Sequence, residues 1–287
     1  MTATTPAERL RALLAEPGCL QVPGCHDAVS ALLLARAGFR AAHLSGSITS
    51  AVGLGLPDLG YVHGRDIADL ASRITSVIDL PLIADADTGY GNALHVRHTV
   101  QEYARAGLAG LHLEDQVNPK RCGHMAGKAV VEVAEAVNKV RAAVDAGTDL
   151  VIIARTDAMS VLGLDEAIDR VGRFVGAGAD LVFVEGVTDA ERLEVVHRAL
   201  PDAPLVVNVS EADPRLKPLP PATLAGLGVK IALYPVAPML AAARALATTY
   251  AAIRDDGSAL ATERMTWDEL TDLLGQPALL DLEERYA

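Results

Sequence analysis

The feature that most constrains this chain is a rhythm of eight short apolar runs, each separated from the next by a longer connecting stretch. The runs fall at residues 19–23, 41–45, 82–87, 110–114, 150–155, 180–185, 205–208 and 230–234. Most are continuously apolar, the pattern of parallel strands covered by helices rather than of strands with one wet face. Helix-like segments lie between them at 27–37, 63–76, 93–106, 131–146, 164–177 and 190–200, with a further one at 239–253. Gly107, Gly147 and Gly178 follow alanine-rich stretches, where helix C-caps belong. Eight strand–helix units in 287 residues predict an α/β chain closed into a (β/α)8 TIM-type barrel. An open dinucleotide-binding sheet is the alternative. No G-x-G-x-x-G follows the first run, and Gly89-Tyr-Gly91 matches only half of that pattern, after the third run.

Hydrophobic residues make up 51% of the chain but aromatics only 3%, so the core is built mainly from Ala, Val, Leu and Ile. The net charge of −12 argues against a nucleic-acid or anionic-membrane surface, either of which gains affinity from clustered Lys and Arg. A small anionic substrate stays open, because it feels the field of its pocket rather than the total charge. Residues 1–16 lack the basic start and apolar stretch of a secretory signal, and no apolar run approaches the roughly 20 residues of a membrane span. Cys19, Cys25 and Cys122 are too few and too irregular for a disulfide framework or a zinc site. These features predict a soluble, cytoplasmic protein, and the run spacing places its barrel at residues 1–257. Residues 258–287, with helices expected at 266–274 and 279–286, form a C-terminal extension expected to pack on a neighbouring subunit.

Barrel chemistry sits at the C-terminal ends of the strands, where the loops diverge. Polar residues of this chain fall there repeatedly: Ser45-Gly46-Ser47 after the second run, Asp85 and Asp87 at the third, His112, Glu114 and Asp115 at the fourth. Arg155 and Asp157 close the fifth, Glu185 the sixth, and Asn208 and Ser210 the seventh. Asp85, Asp87 and Glu114 are the candidate metal ligands, since alternate strand positions project the same way and can share one cation. No Cys/His cluster is visible in the sequence to compete, so Mg2+, or Mn2+, is favoured over zinc. Asp87 alone reads equally well as the cap of the turn at Thr88-Gly89. Cys122 stands among Lys120, Arg121 and His124, which favours a reactive thiolate, and Gly123 lets the backbone approach a ligand closely.

Taken together, Asp85-Ala-Asp-Thr-Gly-Tyr-Gly-Asn92, His112-Leu-Glu-Asp-Gln116, Lys120-Arg-Cys-Gly-His124 and Ala154-Arg-Thr-Asp-Ala158 closely resemble the isocitrate lyase/phosphoenolpyruvate mutase superfamily. The likeness extends to Ser45-Gly-Ser47, Leu54-Gly-Leu-Pro-Asp-Leu-Gly60 and Asn208. It implies a magnesium-dependent barrel acting on an α-oxo-carboxylate unit and assembling as a homotetramer with swapped last helices. By the same resemblance Ser45, Gly46 and Ser47 hold the substrate carboxylate, Arg155 pairs with substrate oxygens, and Asp58 sits at the edge of the site. Asp85 meets the metal directly, with Asp87 and Glu114 acting through water. His112, Glu185, Asn208 and Ser210 line the pocket. Lys120 to His124 form a gating loop in which Cys122 reprotonates the leaving enolate. The cysteine loop marks the carbon–carbon lyases of the superfamily, so cleavage of a 2-hydroxy di- or tricarboxylate to an oxo acid is expected. Gln116-Val-Asn-Pro-Lys-Arg-Cys-Gly-His124 also resembles the carboxyphosphonoenolpyruvate phosphonomutase branch, which keeps P–C bond chemistry as the alternative. A binding protein on an inherited barrel is a third reading, and it predicts missing catalytic groups.

Two departures bear on the substrate. His43 stands where methylisocitrate lyases usually carry Tyr. After Asn208 the chain reads Glu211-Ala-Asp-Pro-Arg-Leu-Lys-Pro-Leu-Pro-Pro221, without the Gly and Thr-Pro that reach the substrate's second carboxylate in the family. Arg215 or Lys217 is the candidate replacement, and a rebuilt pocket or a solvated turn the alternatives. Isocitrate lyases themselves are much longer chains.

Overall fold

The computed structural model describes residues 4–213 and 216–287. Eight parallel strands run β1 (Leu20–Pro23), β2 (Ala42–Leu44), β3 (Leu82–Asp85), β4 (Gly110–Glu114), β5 (Val151–Thr156), β6 (Leu181–Val184), β7 (Leu205–Asn208) and β8 (Val229–Tyr234). Each pairs with its sequence neighbour from β2 to β8, and β8 pairs with β1. A parallel bridge from Gly24 to His43, with the Cys25 amide donating to the His43 carbonyl at 2.9 Å, brings β1 against β2 and closes the ring. The eight apolar runs are the eight strands of a (β/α)8 barrel.

The strands bury both faces, and the two faces feed different cores. Positions such as Ile83, Ile153, Leu181, Phe183, Val206, Ile231 and Leu233 fill the barrel lumen together with Leu10. Their alternates, such as Leu82, Ala84, Ile152, Val182 and Val207, pack outward against the helices. Two residues beyond a lumen hydrophobe comes a polar group in strand after strand: Ile83 then Asp85, Ile153 then Arg155, Phe183 then Glu185, Val206 then Asn208. Period-two geometry therefore stacks the polar groups as one layer on top of an apolar plug.

Helices α2 (Ala28–Arg36), α4 (Gly64–Thr75), α5 (Ala93–Arg105), α6 (Val133–Val144), α8 (Leu164–Gly176) and α9 (Ala190–Ala199) match the helical segments read from sequence to within three residues at each end. Gly107, Gly147 and Gly178 all have positive φ, as their C-cap assignment requires. The sequence reading passed over α1 (Pro6–Ala15), whose Ala7 and Leu10 are buried. It also passed over α3 (Gly46–Thr49), the π-helical turn Ser50–Leu54 that follows it, α7 (Met159–Leu162) and α10 (Pro221–Gly226). The third run is shorter than expected: β3 ends at Asp85, and Asp87 lies in the following turn with φ 42°.

α11 (Ala237–Asp256) follows β8 but has no buried residue along its 20 positions. Beyond it lie α12 (Trp267–Leu273) and α13 (Gln276–Tyr286), also without a buried residue. An Arg36–Asp272 ion pair links α12 to α2, while Trp267 is 75% exposed. Among the described residues, no helix is long and apolar enough to cross a membrane.

Candidate active site

The polar layer encloses a cavity of about 80 Å³ at the C-terminal end of the strands. It is lined by Ser45, Ser47, Asp58, Asp85, His112, Lys120, Cys122, His124, Arg155, Glu185, Asn208 and Ser210, which the sequence had singled out from eight separate segments. Gly46, Asp87 and Glu114 stand just behind this lining. A wider space of about 500 Å³ adjoins it across His124, Glu185, Asn208 and Ser210, bounded further out by Thr188, Asp213 and Leu216. Arg215 lies outside the described residues, and Lys217 is exposed and lines neither space.

Asp85 is the best-anchored carboxylate. Its Oδ2 accepts from the Gly46 amide at 2.6 Å and its Oδ1 lies 2.9 Å from His112 Nδ1. A Cβ at position 46 would come within 3.2 Å of Asp87 Oδ1 and 3.3 Å of Asp85 Cβ, so a side chain there would press on both carboxylates. Burial by itself would raise the Asp85 carboxyl, but His112, His43 and Lys120 outweigh it and hold the group well below the usual carboxylate range. Burial wins at Asp87, whose carboxyl is pushed up to about 6 despite Lys120 beside it. It wins more strongly at Glu114, where Arg155 offsets it only in part.

Among the described residues, the trio of His, Cys, Asp or Glu whose ligand atoms all lie within 4.8 Å of one another is His43, Asp85 and His112. The expected set of Asp85, Asp87 and Glu114 does not form so tight a group, and a histidine pair stands beside Asp85 where the sequence showed none. Three of the pair's four ring nitrogens are engaged, while His43 Nδ1 is buried without a hydrogen-bond partner among the described residues. His43 Nε2 is 2.9 Å from His112 Nε2, and His112 Nδ1 faces Asp85. That leaves each ring nitrogen of His112 committed, and His43 is held neutral by burial, down at about 3. The trio is therefore a hydrogen-bonded row ending on Asp85.

The donor set still suits a hard cation. Among the described residues, Asp58, Asp87, Glu114, Asp157 and Glu185 share only Lys120, Lys128 and Arg155 as ion-pair partners, and Asp85 pairs with His112. Glu114 Oε1 is buried with no hydrogen-bond partner, and Asp87 Oδ1 lies 3.0 Å from Lys120 Nζ without hydrogen-bond alignment. Surplus buried negative charge with bare oxygens is what Mg2+ or Mn2+ neutralises, and these residues fit such an ion.

Arg155 is fixed from three sides. Its Nε and Nη2 donate to Asp157 at 2.9 and 3.1 Å, and Glu114 and Glu185 each lie 3.3 Å away. Its guanidinium carbon sits 5.1 Å from the centre of the Phe183 ring. None of these ion pairs uses Nη1. Asn208 Nδ2 approaches Glu185 at 3.5 Å, while its Oδ1 has no partner.

The cysteine loop arches over this floor. Lys120 Nζ reaches Asp58 at 2.7 Å, and the Cys122 amide donates to the Asp58 carbonyl at 3.2 Å. Cys122 Sγ is 3.8 Å from His124 Nδ1. Burial raises the Cys122 thiol above its ordinary value, with neighbouring Lys120 and Arg155 offsetting only a little. The thiolate expected from the flanking cations is thus corrected to a neutral thiol, because Lys120 is spent on Asp58 and Asp87. Sequence reasoning did not place Lys128 in the site, nor His43, although His43 was marked as unusual. The sequence signal for both was slight: a lysine beyond the cysteine motif, and a histidine two residues before Ser45.

The chain matches the family described as phosphoenolpyruvate phosphomutase over residues 10–254. It is 39% identical to 2,3-dimethylmalate lyase of Eubacterium barkeri, over 98% of both chains. It is 42% identical to 2-methylisocitrate lyase of Escherichia coli strain K12, over 90% of this chain and 88% of that one. Among solved structures, oxaloacetate acetylhydrolase in complex with the inhibitor 3,3-difluorooxalacetate superposes with a TM-score of 0.92 at 34% identity, covering 98% of this chain and 97% of that one. On sequence and barrel alike, the chain belongs to the phosphoenolpyruvate phosphomutase family, within the isocitrate lyase/phosphoenolpyruvate mutase superfamily, and its curated lyase relatives make it a carbon–carbon lyase.

Proposed function

We propose that this protein is a magnesium-dependent lyase that splits a small 2-hydroxy di- or tricarboxylate into an α-oxo acid, such as pyruvate, and a second carboxylate. The observation that carries the reading is a half-buried Cys122 thiol, raised above its ordinary value by that burial, in a loop held over a floor of carboxylates and one fixed arginine. Retro-aldol cleavage takes the proton from the 2-hydroxyl, breaks the adjacent carbon–carbon bond and leaves a carbanion that needs an acid. A thiol kept protonated by burial is suited to that last step, where a standing thiolate would not be.

Asp85, with Asp87 and Glu114, would hold the magnesium ion, which when bound supplies Lewis-acid polarisation of the oxo acid's oxygens. Ser45 and Ser47 bind the carboxylate of the oxo-acid half, with Gly46 between them holding Asp85, and Arg155 offers its uncommitted Nη1 to a substrate oxygen. Its fixed setting by Asp157, Glu114 and Glu185 makes that contact cost little reorganisation. Loop residues 120–124 exclude water while the carbanion exists. The second carboxylate occupies the adjoining space beyond Asn208 and Ser210. α11 to α13 pack on neighbouring copies in a homotetramer, a reading supported by the unburied length of α11 and working in the cytoplasm.

The test is oxo-acid release by purified protein with magnesium, offered methylisocitrate, 2,3-dimethylmalate, citramalate and oxaloacetate. Release from one of them is expected, and none from any would remove the reading. Phosphorus NMR on phosphonopyruvate-type substrates would then decide for P–C chemistry.

A further inference from the structure

The segment that carries Cys122 leaves β4 and returns at α6, and its two ends are zipped together. The Val131 amide donates to the Asp115 carbonyl at 2.9 Å and the Val117 amide to the Ala129 carbonyl at 2.8 Å. Arg170 ties both ends down, donating to the Val131 carbonyl at 2.8 Å and to Asp115 Oδ2 at 3.2 Å. A base fixed in this way leaves the tip as the part that can swing. Three side chains hold the tip. Gln116 bonds the amide and carbonyl of Arg121, but it belongs to the same segment and travels with it. Lys120 reaches Asp58 and Asp87 on one side of the site.

Lys128 holds the other side. Its ammonium donates to the Gly123 carbonyl and to Asp157 Oδ1, each at 2.7 Å, and its side chain is only 4% exposed. Asp157 is the carboxylate that already grips Arg155 through two hydrogen bonds. Lys128 is thus a second counter-charge for Asp157 beside Arg155, which Glu114 and Glu185 also share. Beyond that charge it adds a tie between the fifth strand end and the turn beside Cys122. The tie is drawn tight: a Cβ on Gly123 would come within 2.7 Å of Arg155 Nη2 and 2.8 Å of Glu185 Cδ.

We propose that Lys128 is a positioning residue for the lyase reaction, the latch that holds Gly123, and with it the Cys122 thiol, down on the Arg155–Glu185 floor. It acts through the Gly123 carbonyl and touches no substrate. Because Asp157 serves both Arg155 and Lys128, the substrate-binding arginine and the loop share one anchor. The inference rests on the reading of Cys122 as proton donor, so its test reads the loop rather than turnover alone.

The experiment is iodoacetamide labelling of the full-length, ligand-free protein, followed by mass spectrometry at Cys122 and at buried Cys25. In Lys128→Met the Cys122 rate is expected to rise about tenfold or more, the worth of a hydrogen bond to a charged group, with Cys25 unchanged. Turnover falls with it, and Lys128→Arg restores part of both. An unchanged Cys122 rate in folded Lys128→Met overturns the latch. So does a rise at Cys25 in step with Cys122, which marks a merely structural lysine. Should Lys128→Met not fold, amide exchange in the wild-type protein decides. Protection of the Cys122 and Met125 amides without ligand is expected, and exchange at unprotected rates overturns the proposal. Lysis retained by Cys122→Ser would remove the proton-donor reading and leave the labelling result standing.

Discussion

The Lys120 ammonium lies between two buried carboxylates, 2.7 Å from Asp58 and 3.0 Å from Asp87, with its own side chain 6% exposed. Burial alone would lower its proton affinity, yet Asp87, Glu114 and Asp58 more than reverse that and keep it an ammonium. Removing one partner of such a set leaves uncompensated buried charge. Lys120→Met is expected to cost about 3–5 kcal/mol of stability in the metal-free protein. Added magnesium should recover part of that loss. Thermal or denaturant unfolding with and without the ion measures both.

Cys122 gives a prediction in kinetics and one in pH. Cys122→Ser should lower kcat by about 10²–10⁴, the usual contribution of a positioned acid, while magnesium and oxalate binding by calorimetry stay as in the wild type. Its thiol is raised above the ordinary 9.0. The labelling rate in the wild type should therefore still be climbing above pH 9. A plateau near neutrality would show the thiolate instead.

The metal site predicts a pH-dependent stability. Asp87 sits at about 6 against an ordinary 3.8, so between those values the folded chain holds a proton that the unfolded chain has released. Through this group the metal-free protein loses stability as pH rises through that window, and the full cost stands above about 6. A divalent cation takes the proton's place. The rise in Tm on adding magnesium should be larger at pH 8 than at pH 5, and a chelator should abolish turnover. Equal shifts at the two pH values would count against Asp87 as part of the site.

Gly123→Ala tests how closely the loop must descend. The added methyl would meet Arg155 and Glu185 at 2.7–2.8 Å, so the loop must stand off the floor. The variant should keep its fold by circular dichroism, lose kcat about tenfold or more, and label faster at Cys122.

α11 offers an assembly test. Leu246 and Ile253 are both exposed on it. Replacing both with Asp should shift the protein to smaller species in size-exclusion chromatography if this face is shared between copies. An unchanged elution volume would place the contact elsewhere.

The barrel was legible because its strands are buried on both faces, and such strands read as unbroken apolar runs. The polar layer was legible for a related reason: Asp85, Arg155, Glu185 and Asn208 each come two residues after a lumen hydrophobe. α1 was not read, since Arg9 and Arg11 break its apolar pattern and only Ala7 and Leu10 point inward. The His43–His112 contact depends on the register of β2, β3 and β4 together, which no local pattern carries. Cys122 shows the limit most clearly. Flanking cations in sequence argued for a thiolate, but Lys120 is turned to Asp58 and Asp87 in the fold, and burial decides the thiol's state.

The chain's single tryptophan is Trp267, on α12 and 75% exposed. The protein's intrinsic emission therefore reports on the C-terminal extension while the barrel, with Phe174, Phe183 and Tyr103 inside it, stays optically quiet at long excitation wavelengths. An unfolding curve followed at 295 nm or so would trace release of the extension, and only far-ultraviolet dichroism would trace the barrel. Two probes that disagree in this protein would be seeing two different parts of it.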